Sequence, residues 1–188
     1  METGLQTKPP PATDAEIISR ARSDMQFFEP LYNRHFPSVF RYVYRMMDDR
    51  EDAADLTANV FVKAMGSLHS YNEHRSPFIH WLLAIARNEV YGFYRKRKSE
   101  MRYHASLEGI DLISHDSEYE PSEGFFPVKK ILEMLPPADF ELIDLKYFGK
   151  KSVREISEIT GMNENRIRVR MHRIRERMGK MIRNIKQL

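Results

Sequence analysis

The chain has 188 residues, 41% hydrophobic and 30% charged, which is enough for one medium domain or two small ones with ordinary cores. Cysteine is absent, so disulfides, thiol catalysis and cysteine-based zinc sites are excluded, and His, Asp and Glu remain as the available metal ligands. The formal charge of +3 hides a segregation: residues 1–98 hold 14 Lys/Arg against 12 Asp/Glu, residues 99–126 hold 1 against 7, and residues 127–188 hold 15 against 8, so two basic parts flank an acidic strap.

Residues 1–13, with Pro9, Pro10 and Pro11 and few apolar groups, predict a disordered tail. This tail lacks the basic-then-apolar order of a secretory signal, and no apolar run in the chain approaches the roughly 20 residues of a membrane span. The expectation is a cytoplasmic protein with no direct membrane insertion. From Asp14 the pattern is helical, with Leu31, Phe36, Val39, Phe40, Val43 and Met47 recurring at helical spacing, and Pro30 and Pro37 predict turns or first-turn positions.

A helix over 51–65 places Ala53, Leu56, Val60 and Ala64 beside a second apolar row of Ala54, Ala58, Phe61 and Met65, leaving Asp52, Asp55, Asn59 and Lys63 as one polar strip. The strip is either the solvent side or a surface for another protein. The segment 69–77 follows as a loop, in which Tyr71, Asn72, Glu73 and His74 are polar enough to hold an extruded base and equally suited to a solvated turn.

The next helix, 78–98, buries Phe78, Leu82, Ile85, Ala86 and Phe93 on one arc. Its opposite arc carries Trp81, Ala84, Asn88, Tyr91 and Arg95, and the helix ends in Arg95-Lys96-Arg97-Lys98. Aromatic rings beside cations suit unpaired nucleotides, because every base offers a face for stacking worth about 1–3 kcal/mol. Packing of Trp81 and Tyr91 against neighbouring helices is the alternative. Residues 99–126 show no sustained period, contain Gly109, Pro121 and Gly124, and hold the acidic excess, so they predict a flexible linker.

Four helices are expected in 127–188, over 128–134, 138–148, 153–160 and 164–182. Ser152 and Glu155 have the spacing of a capping box. Gly161 supplies the left-handed residue that ends the third helix, and Asn163 caps the fourth, which makes a helix-turn-helix. Along that last helix Ile167, Met171, Ile174, Met178 and Met181 form a narrow apolar seam, while Arg166, Arg168, Arg170, His172, Arg173, Arg175 and Arg177 fill the remaining circumference. Such a helix fits the DNA major groove, where Arg meets guanine or phosphate; a solvated or membrane-surface amphipathic helix is the alternative. The whole is an all-α chain of two small helical domains.

The run 52–61, Asp-Ala-Ala-Asp-Leu-Thr-Ala-Asn-Val-Phe, then Phe78 with Trp81-Leu82 and Ile85-Ala86-Arg87-Asn88, then Leu135-Pro136, Glu155-Ile156 with Gly161, and Arg170-Met171-His172-Arg173, resembles the extracytoplasmic function sigma factors of the sigma-70 superfamily. The resemblance covers roughly 27–98 and 128–183. It implies a sigma region 2-like domain over 14–98 that recognises and melts the −10 promoter element, an acidic linker over 99–126 that threads toward the polymerase active centre, and a sigma region 4-like domain over 127–188 that recognises the −35 element. Core RNA polymerase, through its β and β′ subunits, and promoter DNA are the implied partners; an anti-sigma factor is a further candidate.

By the same resemblance Asp52, Asp55, Leu56 and Asn59 face the β′ clamp helices, with Lys63 on the same strip. Tyr71, Asn72, His74 and Phe78 surround a flipped −10 base, with Trp81, Asn88, Tyr91, Arg95 and Lys96 nearby. Asn163, Asn165, Arg166, Arg168, Arg170, His172 and Arg173 are expected at the −35 duplex. The chain departs from the family pattern at Ala58-Asn59, where Gln-Glu is usual, at Gly92, where Asp is frequent, and at Asn165-Arg166, which replaces Gly-Thr. The last two change which bases or phosphates are met.

An ordinary helix-turn-helix repressor would explain the C-terminal part but leave the aromatic helix without a task. A recombinase or nuclease would need a metal-binding acidic cluster or an activated nucleophile. The acids of the first part lie on one outward strip, and His69, His74 and His80 lack metal-ligand spacing and read as loop or surface residues. No catalytic residue, metal or cofactor is expected.

Overall fold

The computed structural model describes residues 12–47, 49–108, 131–132 and 134–185, and every regular element among them is helical. The expected tail through residue 11, the linker from 109 to 126 and most of the expected helix 128–134 lie outside the described residues.

The first unit begins with α1 (Asp14–Ser23), where Thr13 and Glu16 close a capping box that satisfies two backbone N–H groups left unpaired at a helix start. A single 3₁₀ turn leads into α2 (Glu29–Met46), with Pro30 in its first turn. Pro37, expected at a turn or first turn, lies inside α2 instead. It is exposed and so is Asn33, so the helix carbonyl that loses its partner one turn earlier faces water, which makes an interior proline tolerable.

Helix α3 (Arg50–Ser67) starts at Asp49, whose carboxylate accepts from Glu51 N at 2.7 Å and Asp52 N at 2.9 Å. Helix α4 (Phe78–Glu108) runs about three turns beyond Lys98, into the segment expected to be linker. Helices α2, α3 and α4 pack against one another around Leu31, Val39, Val43, Val60, Ala64, Leu82 and Ala86, all fully buried. Aromatic edges lock the near end, with Phe28 in T-shaped contact with both Phe61 and Phe78 at 6.5 Å.

In the second unit α5 (Pro137–Ile143) continues as a π-helical turn over Asp144–Phe148. Beyond that turn Lys150 adopts a left-handed φ of 52°, which lets Lys151 N reach Leu145 O at 2.9 Å. Helix α6 (Val153–Thr160) opens on the expected capping box of Ser152 and Glu155 and closes on Gly161 at φ 70°. Helix α7 (Glu164–Ile185) follows, its start capped by Asn163 Oδ1 accepting from Asn165 N at 2.9 Å. The seam residues Ile167, Met171 and Ile174 are buried, and Met178 and Met181 are half-buried. The two units meet where α4 packs against α6, with α2 and α5 also in contact through side chains.

Candidate nucleic-acid interface

The loop before α4 is anchored by its own first residue. Tyr71 is buried, its hydroxyl donates to Ser76 O at 2.9 Å, and its carbonyl accepts from Arg22 at 2.5 Å. With that anchor fixed, Asn72, Glu73 and His74 are exposed, and Asn72 Oδ1 accepts from His74 N at 2.9 Å, a side-chain turn that holds the tip in shape. Phe78 is buried beneath, and half-buried Trp81 rests on both Tyr71 and Phe78, at 5.2 and 5.5 Å between ring centroids. Trp81 therefore packs and retains a solvent-facing part. Of the residues expected around a flipped base, Asn72 and His74 have exposed side chains, while Tyr71 and Phe78 form the floor.

Further along α4, Asn88, Arg95, Lys96, Arg97 and Lys98 are exposed. Tyr91 is half-buried, and its partner is in the second unit. Its hydroxyl donates to Glu141 Oε2 at 2.9 Å, while Tyr42 on α2 donates to Glu141 Oε1 at 2.9 Å. Arg87 Nε lies 2.8 Å from Glu141 Oε1 but is not aligned as a hydrogen bond; its guanidinium sits 4.8 Å above the Tyr91 ring. Burial first, and the Glu141 charge second, hold both phenols above their ordinary pKa, so they stay protonated donors.

Two further contacts extend this row. Arg45 donates through Nε and Nη2 to the fully buried Asp144 carboxylate. Burial raises the Asp144 pKa, and the Arg45 hydrogen bond and charge oppose that rise. His80, expected at the surface or in a loop, is instead 3% exposed: Nδ1 is 2.8 Å from Glu158, and Nε2 is 3.1 Å from Glu155 and 3.2 Å from Lys151 Nζ. Single-residue polarity points an imidazole outward, whereas packing of α4 against α6 buries it where Glu158 meets one ring nitrogen and Lys151 the other.

On α3, Asp55 and Asn59 are exposed and Asp52 is half-buried, flanked by exposed Ala54, Ala58 and Val62. Leu56, expected to face a partner, is 8% exposed because its position turns it under the strip into the core. The second apolar row also divides: Phe61 is buried while Ala54 and Ala58 are outside. Lys63 reaches across to Glu89 on α4 at 2.6 Å.

On α7 the arginines are sorted by their acids. Arg170 donates to Asp139 Oδ1 at 2.6 Å, and Arg177 donates to the other oxygen of the same buried carboxylate. Arg170, expected at DNA, is thus committed to the start of α5. Arg168 is held by Glu164 at 2.6 Å and Asn165 at 3.2 Å. Arg166 and Arg173 are exposed and, with Asn165 and exposed Val169, line an open hollow of about 760 Å³ beside α5. Exposed His172 lies 3.6 Å from Glu176.

Arg45, Arg87, Asp139, Glu141 and Asp144 carry much of this electrostatics and are absent from the expected sites. A signal for the acids was present: Glu141 and Asp144 stand three apart around Leu142 and Ile143, with Leu145 next in the chain, and a carboxylate buried in such a stretch demands partners. Among the described residues no cluster of His, Asp and Glu is arranged to hold a metal ion, and no helix is long and apolar enough to cross a membrane.

A family model for sigma-70 region 2 matches residues 31–100, and one for sigma-70 region 4 matches residues 126–178. Among curated relatives, the chain is 24% identical over 176 residues to the ECF RNA polymerase sigma factor SigW of Bacillus subtilis, covering 87% of this chain and 93% of SigW. It is 23% identical over 174 residues to the ECF RNA polymerase sigma factor BldN of Streptomyces coelicolor, covering 89% of this chain; the match spans 65% of BldN. Among solved structures it is similar to the sigma factor RpoE in complex with the anti-sigma factor NepR from Bartonella quintana, with a TM-score of 0.65, 26% identity, and coverage of 83% of this chain and 96% of that one. CnrH in complex with the cytosolic domain of CnrY has a TM-score of 0.65 at 22% identity, covering 91% and 97%, and shows the shared fold.

Proposed function

The chain belongs to the sigma-70 family of RNA polymerase sigma factors, in its extracytoplasmic function branch, and from that premise we propose how its parts divide the work of promoter-specific transcription initiation. The first unit binds core polymerase through the exposed strip of α3 at Asp52, Asp55 and Asn59, and opens the −10 element with α4 and the loop before it. The second unit reads the −35 duplex with α7, led by Asn165, Arg166 and Arg173. The work is cytoplasmic and the chain carries no catalysis of its own; polymerase makes the bonds.

One observation carries this reading. A single chain holds, in order, an aromatic helix with an exposed cationic run at Arg95–Lys98 and an anchored polar loop at its start, and a capped helix-turn-helix whose last helix exposes Arg166 and Arg173 on a hollow. The first suits unpaired strands and the second intact duplex. The likeness to a sigma factor crystallised with NepR supports an anti-sigma protein as a further partner.

The test is transcription from a promoter fragment by purified core polymerase, without the chain, with it, and with Asp55→Arg. Initiation that appears only with the chain and is lost in the variant supports the assignment. A simple repressor would bind duplex unaided and leave core polymerase silent.

A further inference from the structure

We propose that Arg22 is a positioning residue for base recognition: from α1 it fixes the backbone of the loop before α4, so that Asn72 and His74 meet the edge of one extruded base in a single arrangement. The proposal rests on the assignment of that loop to the −10 element.

The Arg22 guanidinium reaches two main-chain carbonyls on the near side of the loop. Nη2 donates to Tyr71 O at 2.5 Å and Nε to Leu68 O at 3.4 Å, across 49 and 46 residues of sequence. Leu68 O also accepts from Tyr71 N at 3.2 Å, so the guanidinium clasps a turn that the backbone has already closed. The peptide joining Tyr71 to Asn72 is planar, and holding its oxygen sets the direction in which the chain leaves toward Asn72. There Asn72 Oδ1 accepts from His74 N at 2.9 Å and Asn72 O accepts from Arg75 N at 3.1 Å, so the tip inherits that direction.

The helix that carries Arg22 is itself tied down at its other end. Asp14 pairs with Arg34 at 2.5 Å and with His35 at 2.8 Å, both on α2, and Arg34 also donates to Ala12 O at 2.7 Å. Ile17, Ile18 and Ala21 bury the inner face of α1. The far side of the loop is pinned independently, by the Tyr71 hydroxyl on Ser76 O and by the Tyr71 ring against Phe78 and Trp81. Arg22 and residues 72–75 are all exposed.

This division tells what Arg22 contributes. Leu68, Tyr71 and Phe78 close the core beneath the loop without it, so what the guanidinium restricts is the set of conformations open to the tip. An amide and an imidazole are directional partners. They separate one base edge from another when their positions are set before the base arrives. Without Arg22 the same side chains remain, but a tip free to rearrange adapts to whatever enters, and right and wrong occupants are held more alike.

The test uses the full chain with core polymerase on a promoter fragment whose −10 strands are mismatched, so that the cost of unpairing drops out, with an abasic site placed at each non-template −10 position in turn. With the wild type, removing the base at one position should lower initiation about tenfold. In Arg22→Ala that penalty should shrink to about threefold or less. Arg22→Lys, which keeps the charge without the planar fork, should fall between the two. In the chain alone, amide hydrogen exchange at His74 and Arg75 should quicken in Arg22→Ala, while −35 duplex affinity stays unchanged. The full wild-type penalty in a folded Arg22→Ala overturns the proposal, as does unchanged exchange at the two amides. A merely structural role would lower initiation equally with and without the base, and that outcome also overturns it. Should Arg22→Ala lose its helical circular dichroism, Arg22→Lys decides by the same two readings. A wild type that initiates yet has no sensitive position ends the loop's reading role and this proposal together, whereas one that never initiates contradicts the sigma-factor role itself.

Discussion

The Tyr91 hydroxyl donates a 2.9 Å hydrogen bond to Glu141 Oε2 across 50 residues of sequence, so an aromatic group on the side of α4 that we propose faces the strand is also a joint between the two helical units. Tyr42 meets the other oxygen of the same carboxylate. The two phenols differ in burial: Tyr42 is 2% exposed and Tyr91 is half-buried. Tyr42→Phe should therefore lower the unfolding free energy by about 1.5–3 kcal/mol, since water cannot replace the lost donor to a buried charge. Tyr91→Phe should cost less. Urea unfolding of both variants checks the order, and equal costs would mean the carboxylate is better hydrated than its burial indicates.

Acid should loosen the start of α6. The Ser152 backbone N–H, and then its hydroxyl, hold the Glu155 carboxylate at a pKa of about 2, against an ordinary 4.5. A folded-state pKa below the unfolded one contributes stability above pH 4.5 that disappears as pH falls toward 2. Glu155→Gln should flatten the melting temperature across that window relative to the wild type. An unchanged acid limb would show that other carboxylates govern it.

These two effects mark what was legible in the sequence. The Ser152–Glu155 box, the Gly161 stop and the Ile167–Met171–Ile174 seam are local patterns within a few turns, and all stand in the structure. What escaped depends on partners far along the chain. Arg45 meets Asp144 across 99 residues and His80 meets Glu158 across 78, so no window around either residue reveals its environment. Leu56 lies buried with Ala53, Val60 and Ala64, as their shared apolar row predicts, while Pro37 differs from expectation for a smaller reason: exposure, which no local pattern gives, decides whether an interior proline is tolerated.

Two backbone positions should respond in opposite directions. Gly161 and Lys150 both sit at left-handed φ, 70° and 52°, where a side chain costs roughly 1–2 kcal/mol. Gly161→Ala should destabilise by about that amount and Lys150→Gly should stabilise by a similar or smaller one. Thermal unfolding of the pair tests the prediction, which fails if Lys150→Gly lowers the melting temperature.

The sorting of arginines on α7 makes a binding prediction. Arg173 is exposed on the hollow, so Arg173→Ala should reduce the salt slope for −35 duplex by about 0.9, the counterion released per phosphate contact. Arg170 is tied to buried Asp139, and Arg170→Ala should show itself in stability with a smaller change in slope. Duplex titrations across salt concentrations distinguish the two, and identical slopes would contradict the division.

Strand opening is the most direct measure of the role proposed for the first unit. Permanganate reactivity of thymines in the −10 region should appear on a promoter fragment when core polymerase and the chain are both present, and should fall sharply with Trp81→Ala/Arg95→Ala while −35 duplex binding persists. Thymines that remain unreactive with the wild-type chain, or that react equally with the variant, would contradict the account.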